Sequence, residues 1–190
     1  MKLATRIEDI IKPLGENSRQ CFLSNAVQVA DIIEFCARYT GSAELVVSSF
    51  SVSEEFLRRL FFMRSKGVIT DATVVLDFKA VNKTLKLWPF IAQTIEHCYL
   101  ADNHSKIVCL HNSLHTVAVV TSQNLTRGNR YEAAAIFADC DSALSLLAEI
   151  KNLIKYYSVP FHDVYRGRIE DDREAGISLH EALRNCADSE

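Results

Sequence analysis

Apolar residues recur at helical spacing through residues 19–38, at Phe22, Ala26, Val29, Ile33 and Cys36, and predict a helix that Thr40-Gly41-Ser42 closes. AELVVSSF (43–50) lacks polar alternation and reads as a buried strand. Ser51 and Glu54 have the spacing of a capping box for a helix running to Lys66 and stopped by Gly67. TVVLDF (73–78) predicts a second strand, a helix runs from Trp88-Pro89 to about His97, and residues 98–102 predict a third strand. KIVCLH and TVAVVTS, separated by a short polar stretch, read as a hairpin. EAAAIFAD (132–139) predicts another strand. Asp141 or Ser142 then caps a helix carrying Leu144, Leu147, Ala148 and Ile154, ended by Pro160.

Strands alternating with helices predict an α/β domain, and the hairpin makes its sheet mixed, with helices flanking it. The expected organisation is an N-terminal helical segment over 1–42 packed on a domain over 43–159. A charged C-terminal extension follows over 160–190, where SLHEALRNC has the pattern of one short helix.

A length of 190 residues suits one domain with a sizeable core. Apolar residues make up 48% and charged residues 24%, an ordinary soluble composition. No apolar run approaches the roughly 20 residues of a membrane span. MKLATRIEDIIKPLGE has acids and a proline where a signal peptide has its apolar stretch, so a cytoplasmic location is expected. The six cysteines are scattered, with no CxxC; Cys21, Cys36, Cys98, Cys109 and Cys140 read as reduced core residues, and no metal is expected.

The net charge of −3 exerts no overall pull on nucleic acid, but its distribution is uneven. Residues 79–131 carry six basic side chains (Lys79, Lys83, Lys86, Lys106, Arg127, Arg130) against two acidic ones, a net of +4. An anionic backbone would be drawn there.

The same region holds the candidate chemistry, HSKIVCLHNSLHTVAVVTSQNLTRGNRYE (104–132). On a strand His104 and Lys106 project to one side, and Ser122 and Asn124 share that spacing. A nucleophile or general acid, a fixed cation and two neutral hydrogen-bonding groups are an inventory for a phosphate. Arg127 and Arg130, in the adjoining loop, are placed to meet flanking phosphates. His111 and His115, four apart on a hairpin, lack the helical geometry of a zinc pair and a third ligand.

HSK followed by TSQN resembles the HxK…GSxN signature of the phospholipase D superfamily, the HKD motif. The order of elements from about Ala43 to Tyr157 is similar to a single HKD domain. In that family two motifs make one active site: one histidine attacks phosphorus, giving a phosphohistidine, and the other protonates the leaving oxygen and then activates water. This chain holds one motif and no internal repeat, so it resembles the single-motif members, bacterial endonucleases among them, that complete the site by homodimerising. The resemblance implies His104, Lys106, Asn124 and Glu132 as catalytic residues, with Glu132 holding the histidine. Lys106, Ser122, Asn124, Arg127 and Arg130 are the implied phosphate contacts, and no cofactor is implied. Two positions depart from the pattern: His111 stands where an aspartate is usual, and Thr121 where glycine is usual. A positive φ at Thr121 would strain the backbone.

The resulting expectation is a metal-independent phosphodiesterase, a nuclease acting as a homodimer, without membrane contact. The alternatives are a nucleic-acid-binding module that keeps the cradle without turnover, and an assembly subunit whose tail recruits another protein. A lipid substrate ranks below nucleic acid because no exposed apolar segment suited to a membrane surface is evident.

Overall fold

The computed structural model describes residues 6–174. β2 (Ala43–Ser49), β3 (Ile69–Asp77) and β4 (His97–Ala101) lie parallel and form the middle of one sheet. Burial on both faces accounts for the continuous apolar stretches of β2 and β3. On one side of β2 lies the hairpin of β5 (Ile107–His111) and β6 (Thr116–Thr121). β7 (Glu132–Ala138) and β1 (Arg19–Ser24) continue the sheet antiparallel beyond it. On the other side β8 (Ser158–Pro160) pairs antiparallel with β4. The order β1-β7-β6-β5-β2-β3-β4-β8 describes a single open mixed sheet of eight strands.

The two faces are covered unequally. The larger core lies under α1 (Ile7–Ile10), α2 (Val29–Thr40), α3 (Glu54–Ser65), α4 (Val81–Lys86), α5 (Trp88–Thr94) and α7 (Phe161–Glu174). There Ile33, Leu57, Leu60, Ile91 and Phe161 meet Leu45, Val74, Val108 and Ile136 of the sheet. The smaller core lies under α6 (Asp141–Tyr157), whose Ala143, Leu147 and Ile150 pack on Val46, Val75, Cys109 and Ala118.

Several sequence expectations are corrected. Residues 19–38 are not one helix: Arg19–Ser24 is a strand paired along its length with β7, and α2 begins only after Gln28. The N-terminal segment is therefore not helical throughout; it supplies a sheet strand. Gln28 caps α2, its N–H donating to Asp31 Oδ2 at 2.8 Å, and this ends the reach of the helical pattern. The cap of α3 is Ser53, whose Oγ accepts from Phe56 N at 3.3 Å, two residues beyond the expected Ser51. The helix expected to reach His97 ends at Thr94, and His97 opens β4. α6 ends at Tyr157 because Ser158 pairs with Ala101, before Pro160 is reached. Cys21 is exposed rather than in the core. The Cys36, Cys98 and Cys109 thiols are pushed up to about 12 by burial, as befits inert packing groups. The helix expected over 178–186 and Cys186 lie outside the described residues.

Candidate active site

The parallel strands β2, β3 and β4 end at one edge of the sheet, at Ser49, Asp77 and Ala101. Because the remaining strands alternate in direction, β5 and β7 begin at that edge and β6 and β1 end there. His104, Lys106, Ser122, Asn124 and Glu132, up to 28 positions apart in the chain, are thus gathered at one end of the sheet. It is the end at which open α/β sheets collect their ligands.

His104 is exposed, in the segment between β4 and β5, with its ring edge-on to Phe50 at a centroid distance of 5.4 Å. Its neighbours hold it. Asn103, 5% exposed, donates its backbone N–H to Asp77 Oδ2 at 2.8 Å. Asn103 Oδ1 accepts from Ser105 N at 3.0 Å, Ser105 Oγ at 2.7 Å and Ser48 Oγ at 3.1 Å. Asp77, itself buried, also accepts the N–H of Lys79 at 2.6 Å. His104 therefore projects from a backbone tied on both sides to the ends of β2 and β3. In the sequence this network shows itself only as an acid, Asp77, directly after the apolar run of β3.

Lys106 is half-buried, and its Nζ donates to the His104 carbonyl at 2.9 Å. Strand alternation places Lys106 on the face of Val108 and Leu110, and Glu132 on the face of Ala134 and Ile136. Both faces belong to the larger core, so the cation and the carboxylate project to the same side of the sheet. Ser122 Oγ donates to Glu132 Oε2 and accepts the N–H of Ala133 at 3.1 Å. Asn124 Oδ1 is buried and has no hydrogen-bond partner, so the fold does not consume it. Ser122, Asn124, Arg127, Arg130 and Glu132 line one cavity. His104 and Lys106 lie at the same sheet end but outside its lining.

The loop bearing the arginines is pinned rather than free. Gln28 Nε2 donates to Gly128 O at 2.9 Å and Gln28 Oε1 accepts Gly128 N at 3.2 Å. Gln123 Nε2 donates to Val27 O at 2.8 Å. Arg127 is exposed, with only a 3.5 Å contact to Glu55, and Arg130 is exposed as well.

Thr121 carries no positive φ: among the described non-glycine residues only Asp139 does. Its Oγ1 accepts from Gln123 N and donates to Ala133 O, both at 3.1 Å, so the threonine shapes the turn without strain. His111 closes β5 at the far end, beside Glu44, about 17 Å of strand from Lys106. His115 is engaged by Asp139 Oδ2 at 2.7 Å, which Tyr39 also bonds.

No protein-family model and no curated protein matches the sequence. Solved structures do match in shape. A polyphosphate kinase from Porphyromonas gingivalis superposes over 74% of this chain and 23% of its own, with a TM-score of 0.52 and 12% identity. Phosphatidylserine synthase from Haemophilus influenzae Rd KW20 superposes over 88% of this chain and 48% of its own, with a TM-score of 0.54 and 13% identity. Both are phospholipase D-superfamily folds. The fold is phospholipase D-like. A third neighbour is TrmBL2, an archaeal chromatin protein whose structure shows a novel mode of DNA binding (TM-score 0.52, 8% identity, 77% of this chain and 55% of that one). The chain spans about a quarter to just over half the length of these neighbours. No helix among the described residues is long and apolar enough to cross a membrane.

Proposed function

We propose that this chain is a metal-independent phosphodiesterase acting on nucleic acid, active as a homodimer. The carrying observation is the meeting of His104, Lys106, Ser122, Asn124 and Glu132 at one end of a phospholipase D-like sheet. Two of the similar structures are a polyphosphate kinase and a phosphatidylserine synthase, names that both speak of groups transferred through phosphorus. Arg127 and Arg130, exposed on the cavity that Ser122 and Asn124 line, suit a polyanion longer than one phosphate.

In the proposed reaction the lone pair of His104 attacks phosphorus and the bond to the leaving oxygen breaks. His104 of the partner subunit gives that oxygen its proton. The now neutral imidazole takes a proton from water, whose oxygen attacks phosphorus, and the P–N bond breaks to restore the first histidine. Lys106 and Asn124 meet the charge gathering on the phosphoryl oxygens. The test is cleavage of single- and double-stranded DNA and RNA in the presence of EDTA. Wild-type protein is expected to cleave at least one of them and His104→Ala none, with a phosphoryl group trapped on His104 by acid quench. Loss of cleavage on chelation, or full activity of His104→Ala, overturns the proposal.

A second reading, a nucleic-acid-binding module without turnover, is favoured by the occupation of Ser122 Oγ and Glu132 Oε2 by each other. Binding that weakens steeply with salt, without any cleavage, is its signature.

A further inference from the structure

The end of the sheet that carries His104 continues past it onto β2 and β3. Three inter-strand spacings, about 14 Å, separate the end of β6 from the end of β3. The residues along that rim are tied to one another. Thr121 N donates to Lys106 O at 3.0 Å, joining the turn of Ser122 and Asn124 to the start of β5. The His104 ring stands edge-on to Phe50, and Phe50 O accepts Asp77 N at 3.3 Å. Asp77 closes the series: one carboxylate oxygen takes the N–H of Asn103 and the other that of Lys79. The turn of Phe78 and Lys79 and the segment that presents His104 are thus bonded to the same carboxylate.

Phe78 and Lys79 open a short 3₁₀ helix directly after β3. Val75 and Leu76 before them are fully buried and Ala80 after them is buried, whereas Phe78 is 41% exposed and Lys79 is exposed. A single exposed aromatic is ordinary on a protein surface. This one is set apart by its place, beside a cation, on a backbone fixed by Asp77, on the rim that carries His104. Lys79, Lys106, Arg127 and Arg130 give that end of the sheet its positive charge. Asp102, exposed just past the end of β4, marks where the cationic run stops.

We propose that Phe78 is a stacking platform for a base of a single-stranded nucleic acid, with Lys79 on the adjoining phosphate. The strand then runs along the sheet end, from the loop of Arg127 and Arg130 past His104 to Phe78. The inference rests on the phosphodiesterase reading above and narrows its substrate. An aromatic face gains from a base only where the base offers its own face, and inside a duplex both faces of a base are covered by its neighbours. Stacking does not discriminate between bases, so with phosphate contacts it makes a site that takes single strands without reading their sequence. The Asp77 bonds hold the turn in place beforehand, which lowers the ordering cost of binding.

The test is binding of fluorescently labelled oligonucleotides to the full chain, followed by anisotropy. All proteins carry His104→Ala, so that no strand is cut during the measurement, and circular dichroism checks folding. The probes are a single-stranded oligothymidine, a duplex of the same length, and a single strand of that length whose sites are all abasic. The oligothymidine is expected to bind at least about tenfold tighter than the duplex or the abasic strand. Phe78→Ala is expected to lose about tenfold on the oligothymidine and to stay within about twofold on the abasic strand. Phe78→Leu, which keeps an apolar side chain in the turn, should lose affinity in the same way, and Phe78→Tyr should retain it. Lys79→Ala should weaken both single strands alike and reduce the salt slope by about one. Equal affinity for single strand and duplex overturns the platform, as do Ala and Leu variants that bind like the parent, or a protein that binds none of the probes. The outcomes also separate the two proposals. Base-dependent binding that Phe78→Ala loses, in a chain that with His104 intact cleaves no phosphodiester, leaves the platform standing and removes the reaction. Cleavage of duplex and single strand at equal rates, with or without Phe78→Ala, does the reverse.

Discussion

The hydroxyl of Ser122 donates to the carboxylate of Glu132 while accepting the backbone N–H of Ala133 at 3.1 Å, so the two motif residues are coupled before any phosphate arrives. In the proposed reaction, a phosphate that recruits Ser122 would compete with that carboxylate and so leave Glu132 free to hold His104. The two residues should therefore act as a unit. In a double-mutant cycle on kcat/KM, Ser122→Ala and Glu132→Ala are expected to be non-additive by about 1 kcal/mol or more. Each single change should lower stability by no more than about 1 kcal/mol, because Ser122 is exposed and Glu132 only half-buried. Additive losses would mean that the bond has no part in turnover.

A site shared between two chains has a stoichiometric signature. If both histidines are required and subunits exchange freely, active dimers scale as the square of the wild-type fraction. Adding excess His104→Ala to a fixed amount of wild type should then suppress cleavage per wild-type chain, and in equal mixture halve it. The substitution removes an exposed ring that packs edge-on to Phe50, so folding and dimerisation are expected to persist. Activity proportional to wild type at every ratio argues that each chain works alone.

How the chain declares this arrangement differs from element to element. The β5–β6 hairpin was readable because two short apolar runs, Ile107 to Leu110 and Val117 to Val120, flank a polar turn, and β7 because it is a further apolar run. Arg19–Ser24 was not, because Phe22 happens to fall in helical register with Ala26, Val29, Ile33 and Cys36. Its outward positions Cys21 and Leu23 are apolar as well, so the alternation that marks a strand is erased. β8 is three residues long and exists only by pairing with β4. Of the site, the motif residues were legible by type and spacing. The Asp77–Asn103 support was not, since Ser48, Asp77 and Asn103 are far apart in the chain and meet only because β2, β3 and β4 lie side by side and end at one edge.

That support is expected to matter to both folding and turnover. Asn103 Oδ1 takes three donors in a buried place, and Asn103→Leu leaves them with no acceptor of the same geometry. Urea titration should show a loss of about 1–3 kcal/mol. Because Asn103 and Ser105 flank His104, cleavage should fall further than the unfolded fraction explains, measured where the variant is still fully folded. A variant as active as wild type under those conditions would reduce the network to a folding role.

His111 supplies a pH dependence of stability apart from the site. Burial disfavours its charged form first, Lys151 adds repulsion, and Glu44 offsets only part, so its pKa lies below the ordinary 6.5. Glu44 Oε2 is 3.1 Å from Nε2, yet the ring nitrogen is buried with no hydrogen bond, so the acid is poorly placed to hold an imidazolium. As pH falls below 6.5 the unfolded chain takes up this proton before the folded chain does, and the contribution of His111 to stability declines. Above 6.5 both states are neutral at this residue and its contribution is flat. Thermal melts of wild type should thus lose more on going from about pH 7 to pH 5.5 than those of His111→Gln, which has no proton to gain. Parallel melting curves for the two proteins across that window would show that the imidazole is as easily protonated in the fold as outside it.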